Sequence, residues 1–372
     1  MIPLSIPQIQ GNEWKYVKDC LDTGWVSSAG NYVTNFEKMT AKYLDAKYAV
    51  AVTNGTAALH ISLIASNVGK GDKVIVPTLT FVAPVNTVKY CNAEPIFMDC
   101  DPQTLCLDTN KLAKFLSTQT QRQKNRIKAI IPVHIFGYPC DMSAIIKLAQ
   151  KYKLTVIEDA TESLGSEYKG KKAGVLGKIG CLSFNGNKII TTGGGGMVIT
   201  NNKSIAEKIR HLTTQAKKDE FTYNHDAIGY NYRLTNVQAA LGVAQLEQLH
   251  GFLKIKRKNA RLYRKLLYPI KQVEFLWEQS GIKSNFWFYT IKVPKKHHKP
   301  LMQHLIKDDI QVRPIWKLIH TLPMYKNAQI FEIKNATKAH CTCINLPCSV
   351  VLKESQIKYI VSAIKEYFQK YG

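Results

Sequence analysis

From about residue 34 to residue 240 the chain alternates short apolar runs with stretches whose apolar residues recur at helical spacing. That rhythm limits the fold more than any other feature, because strands joined by crossover helices build a mostly parallel sheet with helices on its faces. Tyr48–Val52, Lys73–Pro77, Glu94–Asp99, Ile127–Val133 and Leu154–Glu158 read as strands, and Met197–Thr200 as a return strand ahead of Asn201 and Asn202. Ala57–Ala65 has helix-forming content with an apolar face. A long helix or helix pair is expected over Asn236–Leu267, where Val237, Leu241, Val243 and Leu246 recur at near-helical spacing. The pattern predicts an α/β large domain over residues 1–245, with an N-terminal arm, and a smaller α+β domain over 246–372. The smaller domain opens with the alternating stretch Asn285–Val293 and closes with a helix over Glu354–Tyr371.

At 372 residues and 45% apolar content the chain can bury a large core. Its longest apolar runs, such as Lys128–Val133, fall far short of the ~20 residues of a membrane helix, and Met1–Pro7 lacks the pattern of a signal peptide. The nine cysteines follow no disulfide framework, and Cys341, Cys343 and Cys348 do not have zinc spacing. No metal is expected, and reduced thiols point to the cytoplasm. The 51 Lys and Arg against 27 Asp and Glu leave a net charge of +24, which favours anionic partners. Two basic runs stand out, Lys254–Lys258 on the long helix and Lys295–Lys299 in an expected turn beside Pro294. Both read as solvated faces, and no nucleic-acid recognition motif accompanies them.

The chemistry concentrates elsewhere. Lys188 lies in Ser183-Phe184-Asn185-Gly186-Asn187-Lys188-Ile189-Ile190-Thr191-Thr192, followed by the run Gly193–Gly196. Asp159 ends the apolar strand before it. A lysine in a small-residue loop with a carboxylate at a nearby strand end is what pyridoxal 5'-phosphate requires: an amine for the cofactor aldehyde and an acid that keeps the pyridine nitrogen protonated. Partial burial beside Ile189 and Ile190 would lower the lysine pKa, as a proton-shuttling amine needs. The four glycines form no dinucleotide fingerprint and read as a tight turn close to a ligand or a second subunit. Asn54-Gly55-Thr56 stands at a strand-to-helix junction, which is either a phosphate cup or an ordinary capped helix start. Phe81 is either a face for the cofactor ring or core, and Glu162 either reaches the ring hydroxyl or is solvated.

Taken together, Gly24–Ser28, Asn54–Leu59, Pro77–Phe81, Pro132–Gly137, Ile157–Ala160, the Lys188 loop and Gly229–Arg233 make the chain resemble the sugar aminotransferases that act on nucleotide-linked keto sugars, within the fold-type I pyridoxal phosphate enzymes. The resemblance implies that Lys188 and Asp159 are catalytic, and that Asn54, Gly55, Thr56, Phe81, Glu162, Ser183 and Asn231 also contact the cofactor, as PLP or its aminated form PMP. Asn231 would serve the neighbouring subunit, which implies a homodimer with shared active sites. L-Glutamate is the implied amino donor. Trp25, Asn187, Tyr232, Arg233, Arg313, Trp316, Lys317 and His320 are the implied substrate contacts. Two positions depart from the common pattern, Gly194 for Glu and Glu162 for Gln. Lys188 argues against the related dehydratases, which carry histidine there. Within the family, Asn185–Lys188 and Arg313–His320 look most like the enzymes that aminate C4 of UDP-linked 4-keto-6-deoxy-N-acetylglucosamine for surface glycans. Amination at C3, or of a GDP- or dTDP-linked sugar, is the alternative. A non-catalytic polyanion-binding protein is the rival from another class.

Overall fold

The computed structural model describes residues 1–219 and 221–372. Eight strands form the central sheet: β1 (Tyr48–Val52), β2 (Lys73–Pro77), β3 (Glu94–Met98), β4 (Ile127–Ile130), β5 (Thr155–Asp159), β6 (Ile179–Ser183), β7 (Gly196–Thr200) and β8 (Gln329–Phe331). Their order is β1-β7-β6-β5-β4-β2-β3-β8. Only β7 runs against its neighbours; every other pairing in this sheet is parallel. Both faces are covered. Ala49, Ala51, Ile75, Ile96 and Met98 point into one core, while Val50, Val52, Val74, Val76 and Phe97 point into the other. This period-two division explains why the strands read as continuous apolar runs rather than half-polar ones.

The helix that follows β1, α1 (Gly55–Ala65), begins two residues earlier than expected, because Asn54 caps it by accepting the Ala57 N–H at 2.8 Å. The long helix α2 (Asn236–Leu267) is continuous and carries a capping box between Thr235 and Gln238. It passes without a break through residues 245 and 246, the division expected between the two domains. The C-terminal part builds a four-stranded sheet in the order Glu274–Phe275, Tyr289–Lys292, Cys343–Leu346, Arg313–Pro314, and ends in α3 (Glu354–Tyr371). Its strand β8 returns to the edge of the central sheet.

Three local expectations need correction. The run Lys295–Lys299 is no turn; it opens a helix, Lys295–Lys307, with Pro294 as its N-cap and with His297, Leu301 and Leu305 buried at helical spacing. Ladder pairing in Asn285–Val293 covers only Tyr289–Lys292, since Phe286 takes a left-handed φ of 51° and Asn285 turns its amide into the Glu162 and Leu164 carbonyls. The strand expected to Val133 stops at Ile130, just before Pro132, which lacks the N–H a ladder needs.

Candidate active site

A cavity of about 670 Å³ opens at the C-terminal ends of β1, β5 and β6, where open α/β sheets bind ligands. Of the residues singled out from the sequence, Asn54, Gly55, Thr56, Phe81, Asp159, Glu162, Ser183, Asn187, Lys188, Arg313, Trp316 and Lys317 line it. Two walls result. One is the rim of the central sheet; the other is the small sheet with the segment Arg313–Lys317.

The sheet wall is tightly built. A Cβ on Gly55 would lie 2.9 Å from the Ser183 Cβ and 3.1 Å from the Thr161 Cγ2, and one on Gly196 would run into the Asn54 carbonyl. The backbone therefore comes as close as glycine allows, and the first N–H groups of α1 have no partner within the helix. Within the glycine run, Gly193 has a φ of +78°, the conformation that a turn here demands.

Asp159, only 2% exposed, accepts the Thr161 N–H at 3.2 Å. Burial raises its pKa, with Thr161 and the nearby Lys188 ammonium opposing. Glu162 accepts the Phe136 N–H at 2.7 Å and is pushed up to about 8, chiefly by burial. Burial lowers the pKa of Lys188, while Glu162 and Asp159 act to raise it. Two carboxyl groups and one amine thus share a desolvated site with their proton affinities drawn toward one another. Behind them, His134 Nδ1 accepts the Cys140 N–H at 3.1 Å, so Nε2–H donates to Glu158 at 2.9 Å. The His134 N–H also donates to the Asp159 carbonyl at 3.1 Å, which ties the strand end in place.

The facing wall supplies residues that the sequence reading passed over. Lys188 Nζ sits 4.0 Å from the centroid of the Trp287 ring, within cation–π range. The Trp287 indole N–H donates to the Asn187 carbonyl at 2.8 Å, so this residue holds both the lysine ammonium and the backbone just before it. Phe288, Asn345 and Leu4 also line the cavity. Trp316 packs against Phe136 at 5.0 Å and Phe81 at 6.0 Å, and Arg313 and Lys317 project beside it.

Five residues lie outside the cavity. Trp25 is 59% exposed on the N-terminal arm. Tyr232 and Arg233 run beside β1, where the Tyr232 hydroxyl meets His60 Nδ1 at 3.0 Å and Arg233 bridges Val52, while Asn231 bridges Thr214. His320 is held by the Thr78 hydroxyl at 2.6 Å. Among the described residues all nine cysteines are free, and no helix is long and apolar enough to cross a membrane.

The sequence pattern of the DegT/DnrJ/EryC1/StrS aminotransferase family matches residues 7–365. GDP-perosamine synthase of Escherichia coli O157:H7 is 41% identical over 368 residues, covering 99% of this chain and 98% of that protein. The enzyme of the same name from Caulobacter vibrioides is 39% identical, with 98% of each chain covered. Both are named for a GDP-linked sugar, whereas the sequence reading pointed to a UDP-linked one. In the crystal structure of the aminotransferase TlmJ from Streptoalloteichus hindustanus the fold superimposes with a TM-score of 0.93 at 25% identity, over 100% of this chain and 99% of that one. The chain belongs to the DegT/DnrJ/EryC1/StrS family and is a pyridoxal phosphate-dependent sugar aminotransferase of fold type I.

Proposed function

We propose that the chain moves an amino group from L-glutamate to C4 of a GDP-linked 4-keto-6-deoxy sugar, with GDP-perosamine as the product to look for first. One observation carries this reading: Lys188, Asp159 and Glu162 converge at the sheet rim, and Arg313, Trp316 and Lys317 face them across a single cavity. The identity to the two GDP-perosamine synthases favours GDP over the UDP-linked substrate expected from the sequence.

The residues fit the cofactor on structural grounds. Gly55 leaves no room for a side chain beside Ser183, so the start of α1 and the Ser183 hydroxyl suit a phosphate. Asp159 is a buried acid, and burying a carboxylate is costly until a cation such as a protonated ring nitrogen faces it. Phe81, 53% exposed at the cavity, offers a free ring face, and Glu162 stands where a ring hydroxyl is within reach. When bound, pyridoxal phosphate supplies an aldehyde that takes the donor's amine and a ring that accepts the electron pair left when a proton departs.

Lys188 Nζ would hold the cofactor and, when free, would be the base that moves the proton. Its lowered pKa suits that work, since a neutral amine is needed to accept it. In the net exchange glutamate would become 2-oxoglutarate and the keto sugar the amino sugar, one water being taken up in the first half and one released in the second. Arg313 and Lys317 bind the diphosphate and Trp316 gives a flat face to the nucleotide or sugar. Asn231, Tyr232, Arg233 and Trp25 act from a second copy in a homodimer.

The test is a panel of GDP-, UDP- and dTDP-linked 4-keto-6-deoxy sugars with L-glutamate, read by mass spectrometry of the amino-sugar product. The GDP substrate should turn over fastest; faster turnover of the UDP-linked N-acetyl sugar reverses the choice of nucleotide. Borohydride reduction of the holoenzyme followed by peptide mapping should place the cofactor on Lys188.

A further inference from the structure

A second cavity, of about 1080 Å³, exceeds the catalytic one at about 670 Å³. Lys271, Lys292, Lys295, Lys334 and Lys338 line it against a single carboxylate, Glu274. Lys292 is already engaged, donating to Glu274 at 3.0 Å and to the Pro102 carbonyl at 2.9 Å. Among the described residues the other four lysines form no ion pair, and Glu332, two residues before Lys334, is taken by Lys114. The surplus belongs to a wider asymmetry: 23 of the 51 Lys and Arg, but only 8 of the 27 Asp and Glu, follow residue 245. Leu105, Val293 and Ala339 are buried beneath the cleft and give it an apolar floor.

A concave site with one sign of charge over a low-dielectric floor focuses the potential and concentrates counter-ions. The volume lies just above the roughly 300–1,000 Å³ typical of small-molecule sites. Ammonium groups bind phosphate as point charges, and a row of phosphates delivers several negative charges in a small space. We propose that this cleft binds an oligophosphate, a small anion with three or more phosphate groups, apart from the catalytic cavity. The two sites stand at opposite ends of one pair of strands. Tyr289–Lys292 follows Trp287 and Phe288 of the catalytic cavity and ends at Lys292 of the cleft. Its partner Cys343–Leu346 starts beside Thr342 of the cleft and carries Asn345 into the catalytic cavity.

Cys341 reports on this cleft from inside: it lines the cleft and is half-buried, whereas the other eight cysteines are buried. The experiment titrates the holoenzyme with inorganic tripolyphosphate by calorimetry and follows alkylation of Cys341 by iodoacetamide, with sodium chloride matching the ionic strength. The comparison protein is the holoenzyme of the triple variant Lys295→Gln, Lys334→Gln, Lys338→Gln, whose three altered side chains are exposed. Expected are binding at least about tenfold weaker in the variant and protection of Cys341 in the wild type alone, with turnover and Tm the same in both. Equal affinity in the two proteins, or neither heat nor protection at millimolar tripolyphosphate, overturns the proposal.

Discussion

The two walls of the catalytic cavity are built on different terms. On the sheet wall Asp159 and Glu162 are 2% and 4% exposed, the Asp159 backbone and the Glu162 carboxylate are held by bonds to neighbouring segments, and Gly55 and Gly196 sit where no side chain fits. On the opposite wall Arg313 and Lys317 are exposed, on a strand of two residues and the loop after it. The first wall fixes proton affinities through burial and admits little variation. The second presents charge on mobile stems and can change partner without disturbing the fold. Chemistry common to a family belongs on the first kind of surface and choice of substrate on the second.

Breaking the sheet wall should have the largest effects. Lys188→Ala should reduce turnover to background while the cofactor still binds in part through its phosphate, as read from activity and the absorbance of bound cofactor. Asp159→Asn should cost several orders of magnitude in kcat, because an amide does not hold a proton on the ring nitrogen; a near-normal rate counts against that role. Altering the opposite wall should be milder and selective. Arg313→Ala should raise KM for the nucleotide sugar about tenfold to hundredfold and leave the half-reaction with glutamate unchanged in single-turnover assays. Gly196→Ala sharpens the comparison from the steric side. Pushing a methyl against the Asn54 carbonyl should cost about 1–3 kcal/mol, seen as a Tm lower by several degrees and weaker cofactor retention.

The smallest effect concerns pH. Glu162 is pushed above its ordinary value of 4.5 to about 8, chiefly by burial, with Asp159 adding to the rise and Lys188 opposing it. A raised pKa means that the folded state favours the protonated acid. Its contribution is complete below about pH 4.5 and is lost as the pH climbs through about 8. The Tm of the cofactor-free wild type should therefore fall, relative to Glu162→Gln, by a few degrees between those limits. Parallel curves would show that Glu162 does not titrate in that window.

Much of this architecture was legible in the chain. The apolar runs at Tyr48–Val52 and Lys73–Pro77 and the helices Asn236–Leu267 and Glu354–Tyr371 have the predicted limits, because strand alternation and helical spacing are local properties. Lys188 and Asp159 stood out because small residues and an acid in those settings have few structural reasons to be there. Trp287 did not stand out. Flanked by Phe286 and Phe288 it reads as ordinary core, and nothing within its own segment signals a bond to Asn187 one hundred positions earlier. His320 shows the converse: it lies in a stretch that looks suited to substrate, yet the Thr78 hydroxyl holds it away from the cavity.

From the order of its residues alone this protein had its cofactor and the layering of its main domain, since both rest on short-range pattern and on the chemistry of a few side chains, while its reaction class followed from the family resemblance of its motifs. Only the folded molecule decided which aromatic ring faces the lysine, how far burial moves each proton affinity, and where unpaired positive charge gathers. Those depend on distances between segments far apart in the chain and on how little water remains between them, quantities that no local pattern encodes.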